Sequence, residues 1–243
     1  MDTPRYHAWL NAEGLPPFAA IIPADIEPAI RELLALQQHR ITALEAEAAP
    51  TFANFVEPLE ELQHRLSRAW SPVSHLNAVQ NAEALRNAYN GCLPLLSDHQ
   101  TDLGQSEALY RGYQMVGERE SATLAPEQRR VVEHALRDFR LAGVGLDPAT
   151  KQRFKTLMSE LAQLAAKFDE NVLDSTNAWQ KHITDAAQLA GLNAAILQRA
   201  AQRASDAGLP GWLLGLDQPT YVAIMTDAES RDLRREVYEA WCT

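Results

Sequence analysis

Apolar residues along the chain recur every three to four positions, which is the period of an amphipathic α-helix. Runs that alternate apolar and polar residues, as half-buried strands do, are nearly absent. The pattern therefore predicts an all-α fold. The expected helices cover about residues 25–48, 55–79, 82 onward, 106 onward, 126–141, 148–175 and 193–207, with a short helix after Pro219 and a last one from about Ser230.

Helix boundaries are predicted from capping residues and prolines. Asp25 is expected to cap the first helix, whose opening turn can accept Pro28 because the amides there lack intrahelical partners. Asn81 and Ser106 are expected to cap two later helices. The Ser71-Pro72 pair predicts a kink or a break, because a proline ring inside a helix removes one hydrogen bond.

The longest predicted helix begins at Asp147-Pro148 and spans about 40 Å at 1.5 Å per residue. Five apolar residues recur along it at steps of three and four, namely Phe154, Leu157, Leu161, Leu164 and Phe168. Such a stripe is typical of a helix that buries one face. We expect this helix to be a central strut packed against at least two neighbours.

Two short segments depart from the helical pattern. Residues 179–184 (WQKHIT) and 211–216 (GWLLGL) are rich in aromatic and β-branched or aliphatic residues, and they flank the predicted helix 193–207. We expect them to pair as one small antiparallel β-ribbon. The predicted fold class is thus an all-α antiparallel bundle of long helices with this single ribbon.

The chain shows no repeat of 20–50 residues and no low-complexity linker, so residues 1–243 are interpreted as one helical domain. The last helix still presents an apolar face, with Leu233, Val237, Tyr238 and Trp241, where the sequence stops at Thr243. We therefore expect the segment to belong to a larger protein.

Composition narrows the classes of function. Asp and Glu number 32 against 22 Lys and Arg, which gives a net charge of −10, and no basic patch is segregated. Nucleic acid is therefore not an expected partner. The sequence lacks a signal peptide and a membrane-length apolar run, and its two cysteines, Cys92 and Cys242, form no motif. A cytoplasmic location is expected.

Histidines are the first candidates for metal ligands in a helical protein. A helical zinc hydrolase uses H-E-x-x-H, because two imidazoles at i and i+4 can reach one ion while the Glu polarises its water. The seven histidines all lie more than four residues apart: His7, His39, His64, His75, His99, His134 and His182. His75 follows the Pro72 break, but a histidine there more often bonds a freed carbonyl. No metal, catalytic or cofactor-binding residue is assigned.

The spacing of the other polar residues does not predict a catalytic site either. The carboxylate pairs Glu60-Glu61, Glu45 with Glu47, and Asp169-Glu170 are interpreted as solvated helix faces, since general acid–base catalysis needs one member desolvated. No G-x-S-x-G elbow or phosphate-binding loop is present. The tryptophans are interpreted as packing anchors; they are Trp9, Trp70, Trp179, Trp212 and Trp241.

Six segments, in order over residues 15–243, resemble the zinc-dependent oligopeptidase family of thimet oligopeptidase, most closely its bacterial oligopeptidase A branch. They are LPPFAAIIPADIEPAI, SPVSHLNAVQN, HALRDFRLAGVGL, ENVLDSTNAW, GWLLGLDQPTYVAIM and LRREVYEAWCT. The resemblance covers only the N-terminal portion of that family. None of these segments matches its catalytic motifs.

The resemblance implies a two-lobed, mainly helical zinc metalloendopeptidase that hydrolyses short peptides in a deep channel. This segment would form one channel wall and shape substrate access, while the zinc would be bound outside it by the missing C-terminal catalytic portion. The segment alone is then expected to be inactive. The alternative is a free-standing helical module that binds peptides or a protein partner without catalysis.

Overall fold

The computed structural model describes residues 4–11 and 14–242 of the chain. Its helices are α1 (His7–Leu10), α2 (Pro23–Glu45), α3 (Glu57–Val79), α4 (Glu83–Gly104), α5 (Glu107–Arg119), α6 (Pro126–Leu141), α7 (Pro148–Ala178), α8 (Ala194–Asp206), α9 (Gln218–Asp227) and α10 (Arg231–Cys242). Its strands are β1 (Gln180–Ile183) and β2 (Trp212–Gly215). The predicted all-α fold class with one small ribbon is confirmed.

The chain forms two compact units, residues 1–165 and 166–243, which divide inside α7. In the first unit, one group of buried side chains joins α1, α2, α3 and α4; it includes Trp9, Ile26, Ile30, Leu33, Val73 and Cys92. A second group joins α2 through α6 and includes Ile41, Phe55, Leu59, Leu109, Tyr113 and Phe139. The interpretation of residues 1–243 as one domain of a larger protein stays a prediction.

The second unit is built on the predicted ribbon. β1 and β2 pair antiparallel, with Gln180 opposite Gly215 and Ile183 opposite Trp212. Buried residues from α8, α9 and α10 pack with the ribbon; they include Ile196, Ala200, Leu214, Ile224, Leu233 and Val237. Two backbone segments approach each other closely in this unit. Gly191 has φ +91°, and its α-carbon faces the carbonyl oxygen of Asp227.

Several predicted helix starts are confirmed by side-chain caps. The hydroxyl of Ser106 accepts a hydrogen bond from the amide of Leu109 at 3.2 Å, and Asn193 Oδ1 accepts from the amide of Ile196 at 3.1 Å. Asp147 Oδ1 accepts from the amides of Ala149 and Thr150 at 3.0 and 3.1 Å. These short polar side chains satisfy amides that the first turn of a helix leaves unpaired.

Two predicted caps are wrong. α2 begins at Pro23, so Asp25 lies in its first turn and instead accepts two hydrogen bonds from Arg5, while Pro28 lies beyond the opening turn. Asn81 precedes the N-cap residue Ala82 of α4 and has φ +34°. The side-chain amide nitrogen of Asn81 donates a hydrogen bond to the backbone carbonyl of Asn77 at 3.0 Å. Asn81 therefore caps the C-terminal end of α3.

Of the kink or break predicted at Ser71-Pro72, the break is wrong, because α3 runs through Pro72 as one helix. Pro72 and its neighbours Ala69, Val73 and Leu76 are all buried. Burial of apolar residues on both sides of the proline stabilises the helix against the loss of one hydrogen bond. Tertiary packing therefore overrides the local signal.

The long helix α7 forms as predicted, but the apolar stripe expected to pack against neighbouring helices is exposed. Leu157, Leu161, Leu164 and Phe168 are all exposed, and Glu170 is the only buried residue among those described in α7. Periodicity identifies an apolar face without identifying what covers it. Along the described residues, no helix is both long and apolar enough to cross a membrane.

The two cysteines are expected to differ sharply in reactivity. Cys92 is buried in α4, where desolvation raises the pKa of its thiol to about 11, whereas Cys242 is exposed. Since the thiolate is the nucleophile, iodoacetamide at neutral pH should alkylate the native chain at Cys242 only. Peptide mass spectrometry checks this, and alkylation of both cysteines in denaturant is the control. Equal labelling of the two thiols in the native chain would contradict the burial of Cys92.

Asp217 is expected to make unit 2 sensitive to acid. Burial by itself raises the pKa of this carboxyl, but hydrogen bonds from Thr220 and the guanidinium of Arg203, at 2.9 Å, lower it overall. A lowered folded-state pKa contributes stability above the unfolded value of about 3.9 and loses it as the pH falls through the folded value. Asp217→Asn keeps a capping side chain without the charge. The Asp217→Asn variant should therefore be less stable than the parent in urea at pH 7, and equal to it at a pH low enough to protonate Asp217 of the parent.

Candidate docking surface

The most unusual surface of the first unit lies on α7. The exposed fractions of Leu157, Leu161 and Leu164 are 45%, 58% and 60%. Large apolar side chains at this spacing form a continuous stripe on one side of a helix. Contiguous exposed apolar surface on a folded protein marks a site of interaction.

Polar contacts join the first turns of α7 to neighbouring helices. Besides its two amide bonds, Asp147 accepts the hydroxyl of Thr150 at 2.6 Å, and these bonds lower the pKa of the Asp147 carboxyl. Lys151 Nζ lies 3.0 Å from Glu107 Oε1, and Lys155 Nζ lies 2.7 Å from Asp102. The stripe is thus presented on a helix that is anchored to α4 and α5.

Beside the stripe, the first unit contains a cavity of about 580 Å³. Its walls come from α3 through α7 and include Leu59, Leu103, Tyr113, Phe139, Phe154 and Met158. Leu141, which is 72% exposed, also lines it. A recess of this size and lining can receive apolar side chains from another chain segment. We call Leu141, Phe154, Leu157, Met158, Leu161 and Leu164 the apolar face.

Two polar side chains of this cavity, Tyr113 and Glu60, lie within hydrogen-bond distance of each other. The hydroxyl of Tyr113 lies 3.4 Å from Glu60 Oε1, and burial together with that carboxylate raises the pKa of Tyr113. A tyrosine so shifted stays protonated at neutral pH. The cavity is lined by apolar side chains and by polar ones that include Tyr113, Glu60, His134 and Asp138.

The carboxylates considered from the sequence lie in different surroundings. Glu45 accepts the hydroxyl of Ser106 at 2.6 Å, while Glu60 lines the apolar cavity and Glu61 lines a different one. Glu170 lies 3.5 Å from Lys167. Within residues 4–11 and 14–242, no three His, Cys, Asp or Glu side chains converge as a metal centre would need.

His75 and the tryptophans occupy varied positions. His75 is exposed and its ring contacts Phe18, with centroids 5.6 Å apart. Trp70 stacks on Tyr89, and Trp241 stacks on Tyr221. Trp9 is buried in the first unit, whereas Trp179 and Trp212 pack at the edge of the second unit's core. Most of the rings therefore have packing partners.

Comparison with known proteins identifies the family. The sequence profile of the N-terminal domain of neurolysin and thimet oligopeptidase matches residues 30–151, from α2 into the first turn of α7. The chain belongs to the neurolysin/thimet oligopeptidase family. The resemblance noted from six sequence segments is thereby confirmed.

Individual relatives agree with this assignment. Oligopeptidase A of Haemophilus influenzae is 43% identical over 235 residues, which are 96% of this chain and 34% of that protein. Oligopeptidase A of Escherichia coli is 41% identical over 231 residues, 94% of this chain and 34% of that protein. A probable cytosolic oligopeptidase A of Arabidopsis thaliana is 34% identical over 250 residues, 99% of this chain and 35% of that protein. The chain spans about a third of the length of these relatives.

Sequence reasoning missed both parts of the apolar face. It placed the α7 stripe in a core, and it did not foresee the cavity, whose lining comes from five helices that are distant in sequence. A stripe covered by the same unit and a stripe covered by another part of a protein have the same periodicity. The available signal was the resemblance to proteins about three times as long.

Proposed function

We propose that this chain is the N-terminal, channel-wall portion of a cytoplasmic zinc metalloendopeptidase that hydrolyses short peptides. The observation that carries the proposal is family membership combined with coverage of only about a third of the length of proteins named oligopeptidase A. In this proposal the segment shapes substrate access and does not turn over peptides by itself.

The zinc ion of the proposed enzyme does not fit this segment. The sequence has no H-E-x-x-H, and the described side chains offer no three-donor cluster. Zinc in a catalytic site takes three protein ligands and one exchangeable position. The ion would therefore be held by residues of the remaining portion, and we assign it no contact with this chain.

The apolar face supplies the physical link between this segment and the rest of the protein. Exposed Leu141, Leu161 and Leu164 would be costly to leave in water, at about 25 cal/mol for each Å² of apolar surface. We propose that the remaining two-thirds of the polypeptide packs on this face. A wall fixed in that way narrows access to the zinc, so that short flexible peptides enter and folded proteins are excluded.

The experiment that tests this function uses the full-length gene product and a quenched fluorescent peptide of about ten residues. We expect cleavage that a zinc chelator abolishes and added zinc restores, with a folded protein left intact and the 243-residue chain inactive. Cleavage that survives removal of the metal, or turnover by the chain alone, would contradict the proposal. A stop codon directly after Thr243 would instead favour the free-standing binding module.

A further inference from the structure

The apolar residues of α7 repeat with the spacing of a helix–helix contact. Phe154, Leu157, Leu161 and Leu164 follow one another at steps of three, four and three residues. Alternation of three and four is the pattern of the a and d positions in a coiled coil, where apolar side chains insert between those of a second helix. An extended strand presents its side chains at a period of two residues, which does not match these intervals. The spacing therefore favours a helix as the occupant of the apolar face.

The two sides of this stripe carry different residues. At about 100° per residue, Met158 lies on the side that borders the cavity of about 580 Å³, which it lines together with Phe154. Arg153 and Glu160 lie on the other side, seven residues apart, and both are exposed. In the part of the chain that the structure describes, neither of these two charged residues forms an ion pair. A helix packed on the stripe would therefore meet one positive and one negative charge along one flank.

The cavity determines what the second helix carries on its other flank. Its walls include the apolar side chains of Leu59, Phe139, Phe154 and Met158, and Leu141 lies exposed beside them. Such walls gain dispersion contacts when apolar groups fill the space between them. The flank of the helix that lies away from Arg153 is therefore expected to carry large apolar side chains.

The charges on the flank do not suit a second copy of this chain as the occupant. Two copies packed antiparallel along the stripe would bring their Glu160 side chains together on the same flank. Two copies packed parallel would place Arg153 opposite Met158 and Glu160 opposite Ala165, so that neither charge would meet an opposite one. Like charges in an interface are repulsive, and each copy also carries a net charge of −10. A different helix matches the stripe better than a second α7 does.

We infer that one amphipathic helix from the remaining portion of the same polypeptide covers the apolar face. This chain spans 34% of the length of two relatives named oligopeptidase A, and a segment of the same polypeptide is held at a high effective concentration near the face. The helix carries apolar residues at alternating steps of three and four, an acidic residue that faces Arg153 and a basic residue that faces Glu160. The inference rests on the proposed function for the existence of that remaining portion, and it specifies which kind of element docks.

Photochemical crosslinking in the full-length protein identifies the occupant. The photoreactive residue p-benzoylphenylalanine replaces Leu157, Leu161 or Leu164, one at a time, and mass spectrometry locates its attachment after irradiation. All three positions should attach to one segment beyond residue 243, at points that advance by three or four residues from one position to the next. The same probe in place of Gln152, on the polar side of α7, should not attach to that segment. Attachment within residues 1–243, a crosslinked dimer, or attachment to three unrelated segments would overturn the inference.

A smaller change tests the charged flank without a bulky group in the interface. Leu161→Cys in a Cys242→Ser background reports docking through its rate of alkylation, which peptide mass spectrometry measures. Arg153→Gln should raise that rate in the full-length protein about twofold to fivefold, because one ion pair at the edge of the interface is lost. Gln152→Glu changes the net charge by the same single unit on the polar side of α7 and should leave the rate unchanged. Equal rates in these two variants would contradict an acidic residue opposite Arg153.

Peptide hydrolysis by the same full-length protein separates this inference from the proposed function. Crosslinks to one helix without metal-dependent hydrolysis would support the docking helix and contradict the peptidase. Metal-dependent hydrolysis without these crosslinks, together with equal alkylation rates in the Arg153→Gln and Gln152→Glu variants, would overturn the docking helix and support the peptidase.

Discussion

In the full-length protein, replacement of Leu161 and Leu164 by glutamate is expected to lower kcat/KM for a short peptide at least about tenfold. The proposed docking of the catalytic portion would place both side chains in an apolar interface, where an unpaired carboxylate is strongly disfavoured. In the 243-residue chain both residues are exposed, at 58% and 60%, so the same change should alter the free energy of unfolding by no more than about 0.5 kcal/mol. Peptide hydrolysis and urea unfolding measure the two effects.

The matched control adds the same two charges at polar positions of the same helix. Gln152 and Gln163 are exposed residues of α7, and neither belongs to the apolar face. Gln152→Glu with Gln163→Glu should therefore keep full activity. An equal loss in both double variants would show that added charge alone is harmful, and unfolding of the short chain by the leucine variant would show that the stripe belongs to its own core.

Gly191→Ala is expected to destabilise the second unit by about 3–5 kcal/mol, because backbone strain and overpacking act together. Gly191 has φ +91°, and a methyl group on its α-carbon would lie 2.1 Å from the carbonyl oxygen of Asp227. The obstructing atom is backbone and cannot rotate away. The backbone amide of Glu229 also donates a hydrogen bond to the carbonyl oxygen of Ala190 at 2.9 Å, so the two segments are bonded to each other here. Chemical unfolding followed by circular dichroism provides the measurement.

Gly208→Ala is the control that measures the cost of a positive φ without the steric overlap that Gly191→Ala introduces. Gly208 follows α8 with φ +69°, and an added methyl group there would meet nothing within 4 Å. This substitution should lower the free energy of unfolding by about 1 kcal/mol, because a residue with a β-carbon is strained in a left-handed conformation. If the two alanine variants were equally stable, the close approach at Gly191 would not contribute to the stability of the fold.

Much of this fold is predictable because its helix ends are set by local chemistry. The helix from Pro126 to Leu141 has the predicted bounds, and Gly143 follows it with a positive φ of +85°. Ser106 and Asn193 cap helices from within one turn, and the ribbon pairs as expected. Capping and turn residues act over three or four positions, so their effects can be predicted from the sequence.

The errors arise where distant parts of the chain decide the outcome. Pro72 stays helical because its neighbours are buried by other helices, and Asn81 ends one helix without capping the next. The stripe of α7 has the period of a buried face, yet its leucines are exposed in this chain. Cavities are harder still, since the one beside this stripe is lined by residues of five helices.

The most direct test of the account measures the exposure of position 161 in the short chain and in the full-length protein. Leu161→Cys is placed in a Cys242→Ser background and alkylated at neutral pH, with Leu15→Cys as the reference because Leu15 is 91% exposed. We expect fast labelling of both positions in the 243-residue chain, and at least about tenfold slower labelling of residue 161 alone in the full-length protein, where docking would exclude the reagent. Equal rates at residue 161 in the two proteins would contradict the proposal that the catalytic portion covers this face.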